Sequence, residues 1–259
     1  MADQIYKTWI ISKYTFVEIY KSKIMTNVVI LGFALALISY VAAEFTYGVP
    51  GKVALDFGLG LLTLSSVGIS IFLGSSLIAK ELEGRTIYMT LSRPVLRFSF
   101  LLGRVLGMLG ILVLNIGLLG FITFLCYYFY GGTYEALIGW SLVFSFFEAA
   151  IILLVVIVFS LITNSIMSVI YSLVLYIVGH ALNETLTLTP VTSSHFLTNL
   201  IKAYGSVFPD FSKYNIKKYV LYSQHLSSDY LWGTLVYGSV YLLLLTLLAG
   251  LIFSRKSLD

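Results

Sequence analysis

Long uninterrupted apolar runs are the feature that most limits what this chain can fold into. A helix needs roughly 20 apolar residues to cross a hydrocarbon layer of about 30 Å, and several runs here meet that length. The runs are continuous rather than alternating, which favours helices over barrel strands. We therefore predict an all-α polytopic membrane protein with six transmembrane helices. The predicted spans are residues 24–43, 53–78, 98–130, 135–163, 166–183 and 231–253.

The composition agrees with a membrane protein, because 59% of the residues are hydrophobic and only 11% are charged. The net charge of +4 fits basic cytoplasmic loops and does not indicate nucleic-acid binding. The single cysteine, Cys126, lies in an apolar run, so no disulfide framework is expected. No segment between the spans is long enough for a separate soluble domain. We predict one transmembrane permease-like domain over residues 1–259.

Two segments outside the spans have helical patterns of their own. Residues 1–23 predict an amphipathic helix that lies flat at the headgroups, because its apolar side chains gather on one side. That side holds Ile5, Trp9, Phe16, Val17, Ile19 and Tyr20. Residues 184–230 form the only sizeable polar region, and helical spacing within it predicts one or two short outer-side helices, broken at Pro209.

The distribution of basic residues predicts the orientation in the membrane. Six spans place both termini on one side, and most of the 16 Lys and Arg residues lie there or between the second and third spans. The positive-inside rule then makes both termini cytoplasmic, in a multi-pass protein of the cell's inner membrane. Residues 131–134 join spans three and four as a tight hairpin on the outer side.

The segment of residues 79–97, between the second and third spans, is unusually rich in charge. An acidic pair is followed by a glycine, an arginine and a threonine, and then by a Ser-Arg-Pro sequence. The residues we single out are Glu81, Glu83, Gly84, Arg85, Thr86 and Pro94. Charged groups at a helix end can bond to a partner, while Gly84 and Pro94 allow a short helix to lie across the span ends. A positive-inside loop that only holds topology is the simpler alternative.

The chain resembles the type-2 ABC exporter permeases, which have the type V exporter fold. The features that carry the resemblance are the loop, the N-terminal helix, the six spans and the sequence VFPDFSKYNI before the last span. The resemblance implies that residues 79–97 form a cytoplasmic coupling helix that docks on a separate ABC ATPase. The matching positions are Glu81, Glu83, Gly84, Thr86 and Pro94, while Arg85 stands where relatives often have a small residue. It also implies a dimer with a second copy or a paralogue.

The resemblance implies that ATP and Mg²⁺ are bound by the partner ATPase. The chain itself has no G-x-x-x-x-G-K-[ST] phosphate loop, so we expect neither an enzyme nor a cofactor in this chain. The expected function is the permease subunit of an ATP-driven exporter. The alternative is a mechanotransmitter, in which the same ATPase drives an extracytoplasmic protein and no substrate crosses the membrane. The substrate stays open.

Two polar residues stand inside the predicted spans. Glu148 in the fourth span and Asn115 in the third lie at matching depth from the hairpin that joins these helices. A carboxyl group in hydrocarbon is costly without a partner, so we predict a hydrogen bond between them. The pair is interpreted either as a helix-to-helix clasp or as part of a substrate path or proton-sensitive site.

Other residues allow weaker interpretations. The small residues of the second span, among them Ser65, Ser66 and Ser70, predict that it packs centrally or lines the dimer seam. Gly103-x-x-x-Gly107 allows another close approach. His180 and Glu184 stand at helical spacing but lack the further ligands of a metal site, so no metal is expected. Asp56 and Lys52 are predicted to form an interfacial ion pair.

Overall fold

The computed structural model describes residues 2–45, 49–83, 96–133, 135–186, 196, 199, 201, 203–205 and 208–255, and their regular structure is entirely helical. Seven long helices account for most of it, and the first six follow one another along the chain. They are α1 (Ala2–Tyr20), α2 (Lys23–Glu44), α3 (Pro50–Glu83), α4 (Arg97–Phe129), α5 (Ala136–Ile162) and α6 (Ser165–Leu186). A 3₁₀ turn (Phe211–Tyr214), the short α7 (Lys217–Leu221) and the long α8 (Ser228–Arg255) follow.

Five of these helices are long and apolar enough to cross a membrane, within the part of the chain that the structure describes. They are α3, α4, α5, α6 and α8. Helix α2, the first predicted span, contributes a shorter apolar stretch of described residues, Thr26–Ala42. The helical fold class is therefore the predicted one, whereas the sixth span stays a prediction.

Helix α5 occupies the centre of the bundle. In its most apolar stretch 72% of the residues are buried, compared with 17% in α8. It packs against α3, α4, α6 and α8, and every residue from Ala149 to Val158 is buried. A hairpin joins it to α4, where Gly131 adopts a φ of 80°. Glycine takes this left-handed conformation without the steric cost that a side chain would add.

Helix α3 lies against α4 and α5, as its small residues predict. A Cβ atom added to Gly58 would lie 2.2 Å from Thr123 Cγ2 of α4, and one added to Gly74 would lie 2.9 Å from Val156 Cβ of α5. The buried Ser66 and Ser70 hydroxyls donate to carbonyls one turn earlier in α3. Small side chains thus let three apolar helices approach closely without leaving their hydroxyl groups unbonded.

Helix α1 packs along the first half of α4 and runs in the same chain direction. Gly103 and Gly107, the predicted close-approach motif, are the contact positions: an added Cβ would lie 2.7 Å from Ile11 Cβ and 2.6 Å from Thr15 Cβ. Arg104 Nη1 also donates to Glu18 Oε2 at 2.7 Å. The opposite side of α1 is exposed and apolar. The face of α1 that attaches it to the bundle thus combines the apolar Ile11, Phe16 and Ile19 with polar groups.

The described residues just before α8 pack onto the long helices: the 3₁₀ turn contacts α5 and α6, and α7 contacts α3 and α5. Phe211, in the 3₁₀ turn, is completely buried against Gly179 of α6. Asp210 stabilises the turn, because its Oδ1 accepts hydrogen bonds from the backbone N–H and the hydroxyl of Ser212. The backbone N–H of Asp210 donates to the Tyr237 hydroxyl of α8 at 2.8 Å. This turn covers the polar cluster described next.

Candidate functional site

Glu148 is the carboxyl group at the centre of the candidate site. It stands near the middle of α5 and only 2% of its surface is exposed. Its Oε1 atom accepts a hydrogen bond from the Tyr176 hydroxyl at 2.9 Å, and His180 Nε2 lies at the same distance. Both partners belong to α6. The buried carboxyl group of Glu148 is thus hydrogen-bonded to two side chains of the neighbouring helix α6.

Helical periodicity explains why α6 supplies both partners. Tyr176 and His180 are four residues apart, so they lie on the same face of the helix, one turn apart. The two rings are in edge contact, with centroids 4.7 Å apart. Leu175 and Gly179, on neighbouring positions, pack against α5 and the 3₁₀ turn and fix the rotation of α6.

The predicted hydrogen bond between Glu148 and Asn115 is wrong. Asn115 of α4 is completely buried and faces α3: its Nδ2 donates to Ser66 Oγ at 2.9 Å, and its Oδ1 accepts from Ser65 Oγ at 3.3 Å. The two residues do lie at similar depth on adjacent antiparallel helices, but they point to different neighbours. Depth can be counted along a sequence, whereas the direction of a side chain around the helix axis depends on packing.

The 3₁₀ turn forms the outer wall of the site. The Phe211 ring lies over the His180 ring with centroids 6.0 Å apart. Tyr214 is 3% exposed, and its hydroxyl has no hydrogen-bond partner in the described part of the chain. Burial raises the pKa of this hydroxyl, so it keeps its proton at neutral pH.

A cavity of about 290 Å³ adjoins the cluster. Its wall is formed by α3, α5, α6 and the residues that follow the 3₁₀ turn. The polar groups that line it are Thr63, Ser141, Ser145, Glu148, Tyr176, His180, Tyr214, Asn215 and Lys217. Leu59, Leu64 and Ile216 supply apolar contacts. A concave site that combines apolar walls with a few polar groups is typical of small-molecule binding.

Lys217 marks the more exposed end of this cavity. Its Nζ lies 2.7 Å from Asp56 Oδ1 of α3, and both side chains are partly exposed. The predicted pair of Asp56 with Lys52 is therefore not the one that forms. The reason is long-range: α7 places Lys217 beside α3, and nothing in the local sequence around Asp56 indicates that neighbour.

The predicted coupling residues lie at the other end of α3. Glu81 and Glu83 belong to its last turn, although their side chains are outside the described part of the structure. Gly84, Arg85, Thr86 and Pro94 lie outside the described residues altogether. The bordering helices are long, with 34 residues in α3 and 33 in α4.

Sequence reasoning missed most of the residues around Glu148. The i, i+4 spacing of Tyr176 and His180 was the one local signal, but it needed the knowledge that α6 packs on α5. The sequence pattern instead paired His180 with Glu184, a pair for which no metal is expected. Within the described residues, no group of three or more His, Cys, Asp or Glu side chains is placed to hold a metal ion. No protein-family model matches the chain, and no curated protein matches it significantly.

Proposed function

We propose that this chain is the membrane-spanning permease subunit of an ATP-driven ABC transporter of the exporter type. The order of Glu81, Glu83, Gly84, Thr86 and Pro94 between two long helices carries the proposal. At about 1.5 Å per residue, α3 and α4 are each about 50 Å long, compared with a hydrocarbon layer of about 30 Å. Tilt absorbs part of the excess, and the remainder extends beyond the hydrocarbon, where a soluble ATPase can reach it.

The packing of α3 and α4 supports a mechanical link between this segment and the rest of the bundle. Gly58 and Gly74 bring α3 into direct contact with α4 and α5, and the glycines of α4 bring that helix against α1. Tightly packed helices move as units rather than deforming continuously. ATPase closure would therefore displace α3 and α4 together and carry α1 and α5 with them.

The topology of the proposed subunit follows the same reasoning. It has six spans with α2 as the first, and both termini in the cytoplasm of an inner membrane. It pairs with a second copy or a paralogue, and two cytoplasmic ATPases bind ATP and Mg²⁺. Several large apolar side chains of α2 are exposed, among them Val29, Ile30, Phe33 and Leu37. Contact with lipid or with the second permease would cover this surface.

The outer segment favours the second candidate function, the mechanotransmitter. The residues from Asp210 to Lys213 are bonded to α8 through Tyr237 and Tyr230 and are packed on α6 through Phe211. A movement of these helices would thus reach an extracytoplasmic partner. ATP-driven transport into sealed vesicles separates the two functions, because a mechanotransmitter stimulates its partner without moving a small molecule.

Replacement of both Glu81 and Glu83 by alanine tests the proposed coupling. We expect the variant to insert and fold normally but to lose most of its co-purification with the ATPase, because charge-assisted bonds to the partner are removed. Glu44→Ala, which changes an exposed glutamate at the far end of α2, is the matched control. Unchanged co-purification and unchanged ATP hydrolysis in the double variant would contradict the assignment.

A further inference from the structure

The cavity beside Glu148 contains two polar atoms that have no hydrogen-bond partner among the described residues. Both hydrogen bonds of Glu148 involve Oε1, and no described residue bonds to Oε2. The Tyr214 hydroxyl lines the same cavity, is buried and also lacks a partner. Buried polar groups in folded proteins are nearly always satisfied. A carboxylate oxygen needs a donor, so the arrangement points to a ligand with N–H or O–H groups.

The charges in the cavity favour a cationic donor at its inner end. Glu148 is the acidic side chain that lines this cavity, so a cationic donor is its electrostatic complement. The Lys217–Asp56 pair at the exposed end is neutral as a pair. Lys217 has three N–H donors and can therefore bind an anionic group in addition to Asp56. The acidic residue of the cavity thus lies at its inner end, and the basic Lys217 lies at its exposed end.

A second, larger cavity continues along the same side of α3. It has a volume of about 630 Å³ and is lined mostly by apolar residues of α1, α2 and α3. Leu64 lines both cavities. Gly60 lines the polar cavity and Gly68 the apolar one. Gly60, Leu64 and Gly68 are spaced four residues apart, so they form a continuous stripe on one face of α3. A Cβ atom at Gly68 would have no neighbour within 4 Å.

We propose that the two cavities form one binding site for an amphiphile with a primary ammonium headgroup. The ammonium group donates to Glu148 Oε2, an adjacent phosphate lies toward Lys217, and an acyl chain follows the apolar groove past Leu64 and Gly68. The Tyr214 hydroxyl donates to a headgroup oxygen. This ligand matches the charge order of the polar cavity and the apolar continuation together, whereas a small soluble amine matches only the first. The proposal does not depend on the coupling to an ATPase.

Retention of defined lipids by the purified full-length chain tests the headgroup assignment. The probes are phosphatidylethanolamine, phosphatidylcholine and phosphatidylglycerol with identical acyl chains, and native mass spectrometry counts the lipids that remain bound. We expect phosphatidylethanolamine to be retained about tenfold better than the other two, because only it presents N–H donors with a positive charge. Equal retention of the three lipids would overturn the proposal.

Glu148→Gln keeps the shape and one carbonyl oxygen but removes the charge, so we expect it to lose the preference for phosphatidylethanolamine. Asn115→Ala changes a buried polar residue of similar depth that lines neither cavity, and should leave the preference intact. If Glu148→Gln does not fold, Tyr214→Phe provides a milder variant. We expect it to retain phosphatidylethanolamine roughly threefold to tenfold less well, because one hydrogen bond to the headgroup is lost. An unchanged preference in Glu148→Gln, or unchanged retention of phosphatidylethanolamine in Tyr214→Phe, contradicts the site.

Filling the groove tests the acyl-chain part of the proposal. Gly68→Leu places a side chain where an added Cβ meets no atom, so it should reduce lipid retention without disturbing the helices. Gly117→Leu is the matched control, because an added Cβ there is equally free and Gly117 lines neither cavity. Soluble phosphoethanolamine distinguishes the source of the ammonium group. If it saturates the site while the lipid does not bind, the lipid proposal is overturned.

Discussion

Asn115 and Glu148 are buried polar residues at similar depth on adjacent helices, yet their surroundings differ. Both polar atoms of the Asn115 amide bond to serine hydroxyls of α3, and the residue lines neither cavity. Among the described residues, Glu148 bonds through Oε1 and not through Oε2, and the Tyr214 hydroxyl in the cavity beside it has no partner. The Asn115 amide is bonded through both of its polar atoms, whereas the cluster around Glu148 has polar atoms that no described residue bonds.

This difference shows that a polar residue inside a membrane helix does not by itself identify a binding site. Helix-to-helix hydrogen bonds and ligand sites both require buried polar side chains. The distinguishing property is the number of hydrogen-bonding atoms that the protein leaves unused next to an open space. Three changes, taken from the largest expected effect to the smallest, test whether the two clusters are independent in this way.

Replacement of Glu148 by leucine should have the largest effect. It removes the hydrogen-bonding partner of both Tyr176 and His180 and leaves two partly buried polar groups without that partner, which costs about 3 kcal/mol of the free energy of unfolding. Unfolding in detergent measures this cost. Glu148→Gln, which keeps an acceptor oxygen, should lose less than half as much. A leucine variant as stable as the natural protein would show that the cluster does not join α5 to α6.

Replacement of Gly58 by alanine should separate α3 from α4. The new Cβ would lie 2.2 Å from Thr123 Cγ2, and because the β-branched threonine is buried, the helices must move apart. We expect a loss of about 2 kcal/mol in the free energy of unfolding. Gly117→Ala, with open space around the new atom, should change it by less than about 0.5 kcal/mol.

The Gly58 variant also tests the independence of the two clusters. It should weaken the bonds between Asn115 and the serines of α3, while the bonds between α5 and α6 persist. Chemical modification of His180 reports on the second cluster. Equal disturbance of His180 and of the serines would indicate one continuous polar network instead of two separate clusters.

Replacement of Asn115 by alanine should have the smallest effect. The side-chain bonds to Ser65 and Ser66 are lost, but the Ser66 hydroxyl keeps its bond to the Leu62 carbonyl. Interhelical hydrogen bonds of this kind in membranes contribute about 1 kcal/mol or less. Thermal unfolding should detect this modest loss. A loss as large as that of Glu148→Leu would contradict the ranking of the two clusters.

The positions of the helices could be predicted from the sequence, whereas the hydrogen-bonding partners in the candidate site could not. The long apolar runs placed the helices because their length and composition leave few alternatives in hydrocarbon. The hairpin at Gly131 and the small residues of α3 were equally readable. The partners of Glu148, Asn115 and Asp56 were not, because each depends on how helices far apart in sequence rotate and pack against one another.

The attachment of α1 to α4 has a consequence for the order in which the protein is made. Gln4 lies beside Leu96, and Phe16 lies beside Gly110, so α1 leaves the ribosome more than ninety residues before its binding surface does. At about 5–20 residues per second, this interval lasts roughly 5 to 20 s. During it, the exposed aromatic and aliphatic side chains of α1, including Ile5 and Trp9, can adsorb to the bilayer surface. The α1 helix can therefore pack against α4 only after α4 itself has been made.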